Sequence, residues 1–435
     1  MADELALYAY RLLAETDQSV FLTGRAGTGK STFLRDTVAQ IPKRCVVLAP
    51  TGLAAIQVRG ETLHAFFKLP FGPILPGDSR LRSLRYDAAK RRVMEELELL
   101  VIDEVSMVRA DVLDAVDACL RRVRRDPTPF GGVQLLLVGD LLQLEPVANR
   151  EDRELLGNWY ASPYFFDAQS WREAAPVPIE LEKVYRQSDP EFVALLDRVR
   201  RGEPSYEDLV ALNHRPKSPP SDDQTHCITL TGTRAVAENT NQRQLSDLPG
   251  DSTAYQGKIE GKFPRKQLPT EESLSLKPGA QVIFVRNDPP PFRRWVNGTL
   301  GEVLECREKQ VRVRLDNGKT YDVDSVRWES IRFGVDKKGK ITEEVLGAFE
   351  QLPIGLAWAV TVHKSQGLTF DRVRINLGNG AFAAGQLYVA LSRCRSMEGI
   401  YLQQRLRRRD AIVHAEVVAF YNRMNNLEDI ERLLE

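Results

Sequence analysis

The sequence predicts an α/β protein of two layered units, each built on a parallel sheet, with a small β-rich insertion in the second and a short excursion in the first. Three observations carry this. Four apolar runs in the first half are unbroken rather than alternating, which suits strands covered on both faces. A glycine-rich turn joins the first of these runs to a helical pattern. Tight-turn signals at 296–299 and 316–319 flank an alternating segment, Val311, Val313 and Leu315 against Arg312 and Arg314, as in a small antiparallel barrel or sheet.

In order, Val20-Phe21-Leu22-Thr23 is the first strand and Cys45-Val46-Val47-Leu48-Ala49 the second. Residues 66–98 hold Pro70, Pro73 and Pro76, then Arg80, Arg82, Arg85, Lys90, Arg91 and Arg92. The proline part reads as an excursion from the sheet and the basic part as helix, either a solvated face or part of a wedge. Leu99-Leu100-Val101-Ile102 and Leu135-Leu136-Leu137-Val138 are the third and fourth strands. Strands interleaved with helices imply a doubly wound layer fold. A proline-rich connector near 204–222 precedes Cys227-Ile228-Thr229-Leu230, which opens the second unit, and Val282-Ile283-Phe284-Val285 reads as another of its strands. The β-rich insertion occupies about 295–350, and the unit resumes at Ile354. The expected domains are 1–180, with the excursion at about 66–92, and 181–435.

Composition narrows the class. At about 150 residues per domain, 435 residues leave room for roughly three. Lys+Arg and Asp+Glu both total 60, which excludes a polyelectrolyte or a wholesale basic coat but not a local basic patch. Five scattered cysteines with no C-x-x-C spacing argue against a disulfide frame or zinc knuckle and fit a reducing cytosol. Asp3 and Glu4 stand where a signal peptide needs positive charge. The uncharged stretch 375–392 is broken by Gly and Asn, so no membrane partner is expected.

The sharpest motif is Gly24-Arg25-Ala26-Gly27-Thr28-Gly29-Lys30-Ser31, between a strand and a helix. Glycines let successive N–H groups converge on phosphate oxygens, aided by the positive end of the next helix. Gly24, Ala26, Gly27, Thr28, Gly29, Lys30, Ser31 and Thr32 are thus the expected nucleotide contacts. Lys30 would reach the β- and γ-phosphates, and Ser31 would ligate Mg²⁺. Asp103 and Glu104 end an apolar strand: Asp103 is the expected metal carboxylate, and Glu104 the group that activates water. Gln143, just past the fourth strand, is placed to sense a γ-phosphate.

In the second half, Thr361-Val362-His363-Lys364-Ser365-Gln366-Gly367-Leu368 follows an apolar strand, and Arg393 ends Tyr388-Val389-Ala390-Leu391-Ser392. Arg393 and Arg186 are candidate arginine fingers, which stabilise charge on a transferring phosphoryl group. GRAGTGKS, APTGLAA, TLHAFF, VIDEVSM, FGGVQLLLVGDLLQLEPV, EKVYRQ, VNGTLGEV, AWAVTVHKSQGLTF and YVALSRC occur in this order across nearly the whole chain. Together they resemble the Pif-type (petite integration frequency) helicases of superfamily 1B.

The resemblance implies two RecA-like domains with ATP between them and Mg²⁺ as cofactor. It also implies 5′→3′ translocation on single-stranded DNA and unwinding of duplexes, forks and G-quadruplexes, by a chain acting as a monomer. It assigns Gln143 as sensor, Arg186 and Arg393 as fingers, and Tyr185 and Gly367 to the nucleotide, with Tyr185 stacking on adenine. It places the family's signature helix at 111–125. The family often reads adenine with a glutamine ahead of the loop; here Leu7 stands near that place, and no glutamine precedes Gln18.

A single strand needs donors for phosphates and aromatics for bases. Pro50, Thr51, His64, Phe66 and Phe67 are the candidates from the first unit, and Thr361, His363 and Lys364 those from the second. A RecD- or Dda-like helicase shares most of these motifs, but the FGGVQ block and the modest insertion favour the Pif type. A non-translocating DNA-dependent switch is the rival of a different class.

Overall fold

The computed structural model describes residues 4–187, 189–219, 226–289, 292–336, 341–422 and 424. The chain divides into two compact units, Met1–Tyr185 with Ser330–Leu346 and His414–Glu435, and Arg186–Glu329 with Gly347–Val413. The division is not contiguous: two late stretches group with the first unit. The reason is burial across long sequence separations. The Phe333 N–H donates to Glu61 (2.9 Å), and the Phe333 ring meets Phe66 edge-on. Phe420 stacks on Phe166 at 4.6 Å and packs beside Phe21 and Trp171.

The first unit is built on β1 (Val20–Gly24), β2 (Cys45–Ala49), β3 (Glu61–Thr62), β4 (Leu99–Ile102), β5 (Gln134–Val138) and β6 (Val177–Leu181). All pair parallel, in the order β3-β2-β4-β5-β1-β6. Every residue of β1, β4 and β5 is buried, as the unbroken apolar runs require. Helices Glu4–Glu15 and Lys30–Thr37 supply Leu12, Leu13, Phe33 and Leu34 to the core on one face. Ala110–Arg124 buries nine residues and is the long helix expected at 111–125.

In the second unit, Ala359–Thr361, Ile228–Thr231, Val373–Asn376 and Ile400–Leu402 pair parallel in that order. Helix Gln386–Ser392 is buried at all seven positions. An antiparallel sheet runs Thr320–Asp324, Gln310–Leu315, Leu300–Cys306, Gln281–Phe284, Ile354–Leu356. The turn expected at 316–319 closes through the Gly318 N–H to the Leu315 carbonyl, with Gly318 at φ +77°.

The run at 282–285, read from sequence as part of the parallel sheet, lies instead in this antiparallel one, and so does Ile354. Val282 and Phe284 are packed among Leu274, Leu276, Val303 and Val313. A fully buried run looks the same in either kind of sheet, so periodicity could not separate them.

The basic segment 80–92 forms helices Ser79–Ser83 and Ala88–Glu96. Its arginines are exposed, but Lys90 is buried. Its ammonium pairs with Glu61 at 3.0 Å and sits 4.0 Å from the centre of the Phe66 ring. Among the described residues no helix is long and apolar enough to cross a membrane.

Removing Lys90 would leave the Glu61 charge buried without its cation. Lys90→Ala is therefore expected to destabilise the first unit by about 3–5 kcal/mol, read as a lower urea midpoint; an unchanged midpoint would mean that solvent screens the pair.

Candidate nucleotide site

Parallel pairing brings the tips of β4, β5 and β1 side by side. The Asp103 N–H donates to the Leu48 carbonyl (2.9 Å) and the Gly139 N–H to the Leu22 carbonyl (3.2 Å), which carries the alignment just past the strand ends. Ligands of open α/β sheets bind at such carboxyl ends. Three of the motifs stand here: the glycine loop after β1, Asp103 and Glu104 after β4, and Gln143 after β5.

The loop is curled as its glycines permit. Gly24, Gly27 and Gly29 have φ of +147°, +85° and +91°. A Cβ on Gly24 would lie 2.6 Å from both the Leu181 carbonyl and Thr28 Oγ1. Thr28 is buried, with its hydroxyl donating to the Arg25 carbonyl (3.0 Å). Ser31 and Thr32 are exposed on the first turn of the helix. That helix has no side-chain cap, whereas Thr51 and Thr62 cap the helices after β2 and β3. Uncapped first-turn amides and the helix dipole suit an anion. The Lys30 ammonium donates to the carbonyls of Gly24 and Arg25, the latter at 3.0 Å. Tyr185 is tied to the loop by its N–H to the Gly27 carbonyl (2.8 Å); its ring is 59% exposed, with Lys183 Nζ 5.1 Å from its centre.

Burial raises the Asp103 carboxyl pKa, opposed by the Glu104 N–H and by the charge of Lys30. Glu104 stands at φ +51° and its N–H donates to Asp103 (2.9 Å). Gln143 is buried, with Nε2 donating to Asp140 Oδ2 (3.1 Å). A hydroxyl and a carboxylate are hard oxygen donors that fit Mg²⁺, which keeps most of its ligands as water and phosphate oxygens. Among the described residues no cluster of three or more His, Cys, Asp or Glu is placed to hold a metal.

In the second unit the two candidate fingers converge on one loop. Arg186 Nη2 donates to the Gly367 carbonyl (3.4 Å) and Arg393 Nη1 to the Leu368 carbonyl (3.3 Å). Arg186 Nη1 is buried with no hydrogen-bond partner among the described residues, and burial lowers the group's pKa. Arg393 is 1% exposed and also bonds the Val389 carbonyl and Ser392 Oγ.

The expected DNA residues fall at or just past strand ends, and all but two keep some solvent exposure. Pro50 and Thr51 follow β2, and Thr361 ends its strand with Oγ1 accepting the Lys364 N–H (3.2 Å). His363 is half-buried, which lowers its pKa, and Lys364 is exposed. The exceptions are Phe66 and Phe67, which are fully buried at 4.8 Å between ring centres and cannot stack on a base. An exposed aromatic close to them in sequence is Phe71 (81%), stacked on His64 at 5.5 Å, within the proline-rich excursion. Sequence reasoning passed over it because nothing in spacing distinguishes a loop phenylalanine.

It also missed a C-terminal contribution. Tyr421 bonds Asp140 (3.0 Å), and His414 Nε2 bonds Glu145 Oε2 (3.0 Å).

The chain is similar to known proteins of one family. Residues 7–208 match the family described as PIF1-like helicase. The chain is 37% identical over 398 residues to the ATP-dependent DNA helicase PIF1 of Rattus norvegicus, covering 88% of this chain and 58% of that protein. It therefore spans less than two thirds of that relative. It is 33% identical to the ATP-dependent DNA helicase Pif1 of Bdellovibrio bacteriovorus, covering 95% and 90%. The crystal structure of Bacteroides sp Pif1 in complex with ADP-AlF4 superposes with a TM-score of 0.89 at 36% identity, covering 97% and 96%. The chain belongs to the Pif1 family of helicases.

The His414–Glu145 bond is pH-dependent. The hydrogen bond that the His414 ring donates to Glu145 raises His414 above its ordinary 6.5 against a smaller burial effect; Glu416 and Arg153 also face it. Burial alone would raise the Glu145 pKa, but bonds from His414 and Arg153 leave it lowered. A raised histidine stabilises fully below its unfolded pKa and loses that contribution as pH rises through its folded one. The melting temperature of His414→Gln should fall below that of the unaltered chain at pH 6, by an amount equivalent to roughly 1 kcal/mol or less. That gap should close at pH 9; a gap that is constant with pH would show the imidazole to be neutral throughout.

Proposed function

We propose that this chain is an ATP-dependent DNA helicase that moves 5′→3′ along single-stranded DNA and unwinds duplex and forked DNA, with G-quadruplexes as a further substrate. The observation that carries it is the row of three strand tips, which puts the phosphate loop, the acid pair and the sensor glutamine together. The names of the relatives, each a DNA helicase that depends on ATP, supply the polymer on which the energy is spent. In this reading the fold is two RecA-like domains, with a wedge at about 66–92 in the first and the β-rich insertion in the second.

The loop amides and Lys30 bind the phosphates of ATP; Lys30 leaves its two carbonyls for a stronger, ionic acceptor. Ser31 and Asp103 hold Mg²⁺, which neutralises phosphate charge there. Glu104 takes the proton of the attacking water, and Gln143 registers the γ-phosphate. Arg186 carries a buried guanidinium nitrogen without an acceptor, which suits a finger awaiting a phosphate. Arg393 is proposed as the second finger. Tyr185, with its backbone fixed to the loop and its ring exposed, stacks on the base. Leu7, half exposed on the first helix, offers no amide, so adenine is read by other groups. Thr51, Thr361, His363 and Lys364 bind the DNA backbone, and Phe71 with His64 takes the stacking role expected of Phe66.

ATPase and strand-displacement assays test this directly. Lys30→Ala should abolish both activities, and Glu104→Gln should bind ATP yet lose at least 100-fold in turnover, as expected for loss of a general base. Displacement of a 5′-tailed but not a 3′-tailed duplex is expected; DNA-stimulated hydrolysis without displacement would instead indicate a switch. Separately, Phe71→Ala should weaken oligonucleotide binding by roughly 1–3 kcal/mol. Unchanged affinity, measured by fluorescence anisotropy, would remove Phe71 from the DNA path.

A further inference from the structure

Helix Ala415–Tyr421 ends on a hydroxyl that touches two neighbouring strand tips. Tyr421 Oη lies 2.7 Å from Thr23 Oγ1 and donates to Asp140 Oδ1 at 3.0 Å. Asp140 is 1% exposed; Oδ1 also receives the Leu142 N–H (3.1 Å), and Oδ2 receives Gln143 Nε2 (3.1 Å). A tyrosine hydroxyl has one proton. Given to the carboxylate, it leaves Thr23 to donate to Tyr421. The bonds then converge on Asp140: Thr23 donates to Tyr421, Tyr421 to one carboxylate oxygen, and the sensor amide to the other. Asp140 can only accept, so it commits one N–H of Gln143 and fixes which end of that amide is nitrogen. Packing holds the hydroxyl in place: the adjacent Phe420 is stacked on Phe166, and His414 at the other end of the helix bonds Glu145, two residues past Gln143.

We propose that Tyr421 is a positioning residue for ATP turnover, acting through Asp140 to orient Gln143. The role belongs to no motif of the sequence, and it rests on the reading of Gln143 as γ-phosphate sensor. A lost hydrogen bond to a buried carboxylate lets Asp140 and the amide relax, which should affect the reaction more than the binding of ATP.

The test uses the full chain with single-stranded oligonucleotide. Tyr421→Phe keeps the ring and removes the hydroxyl. Its kcat should fall about tenfold, the size expected for one charge-assisted hydrogen bond, with KM for ATP within twofold and the melting temperature unchanged. Combined with Gln143→Ala it should be no slower than Gln143→Ala alone, because both act through one group. A normal kcat for Tyr421→Phe, or losses that multiply in the double variant, overturns the proposal while leaving the sensor intact. A normal kcat for Gln143→Ala overturns the sensor reading and this inference with it. Should Tyr421→Phe melt early, Thr23→Val decides: lower kcat at unchanged KM supports the chain of bonds, and a normal kcat overturns it.

Discussion

The constraint on which the rest depends is the parallel pairing of β4, β5 and β1. Parallel neighbours end on the same edge, so whatever follows each strand is delivered to one place. Burial of all three strands on both faces holds that edge rigid. The same burial works against charge. It raises the Asp103 carboxyl, and the nearby ammonium of Lys30 restores part of its acidity. A lysine that arrives one residue after the last loop glycine thus serves the loop, through two carbonyls, as well as the acid beside it.

The second unit solves a related problem with cations. Two guanidinium groups from distant positions, Arg186 and Arg393, bond adjacent carbonyls at Gly367 and Leu368. Arg393 meets the cost of full burial with backbone and hydroxyl acceptors on its own helix. Arg186 does so only in part, and its remaining nitrogen stays desolvated. An uncompensated buried donor is kept only where another interaction repays it. The loop 363–368 therefore carries both the arginine acceptors, Gly367 and Leu368, and the candidate DNA residues His363 and Lys364.

Much of this was legible before any coordinates. The four strands of the first half and the turn at Gly318 follow from unbroken apolar runs and a glycine that must have positive φ, while the long helix at 110–124 was implied by the family resemblance alone. The glycine loop and the acid pair announce themselves because their chemistry is local. What could not be read was long-range. The run 282–285 carries no mark of which sheet it joins. Phe66 and Phe71 differ by five positions and by nearly everything in exposure, and only the Lys90–Glu61 pair and Phe333 explain why the first is sealed. Tyr421 and Thr23 are 398 residues apart, a pairing that no periodicity encodes.

That separation has a consequence for biogenesis. Ribosomes add about 5–20 residues per second, so roughly 20 to 80 s pass between the synthesis of Thr23 and that of Tyr421. In the later part of that interval, once β6 has been made, every strand of their sheet has been synthesised, yet Phe21, Phe166 and Asp140 still lack the helix that covers them. The nascent N-terminal part is thus a near-complete scaffold whose aromatic face stays unsealed until helix Ala415–Tyr421 arrives.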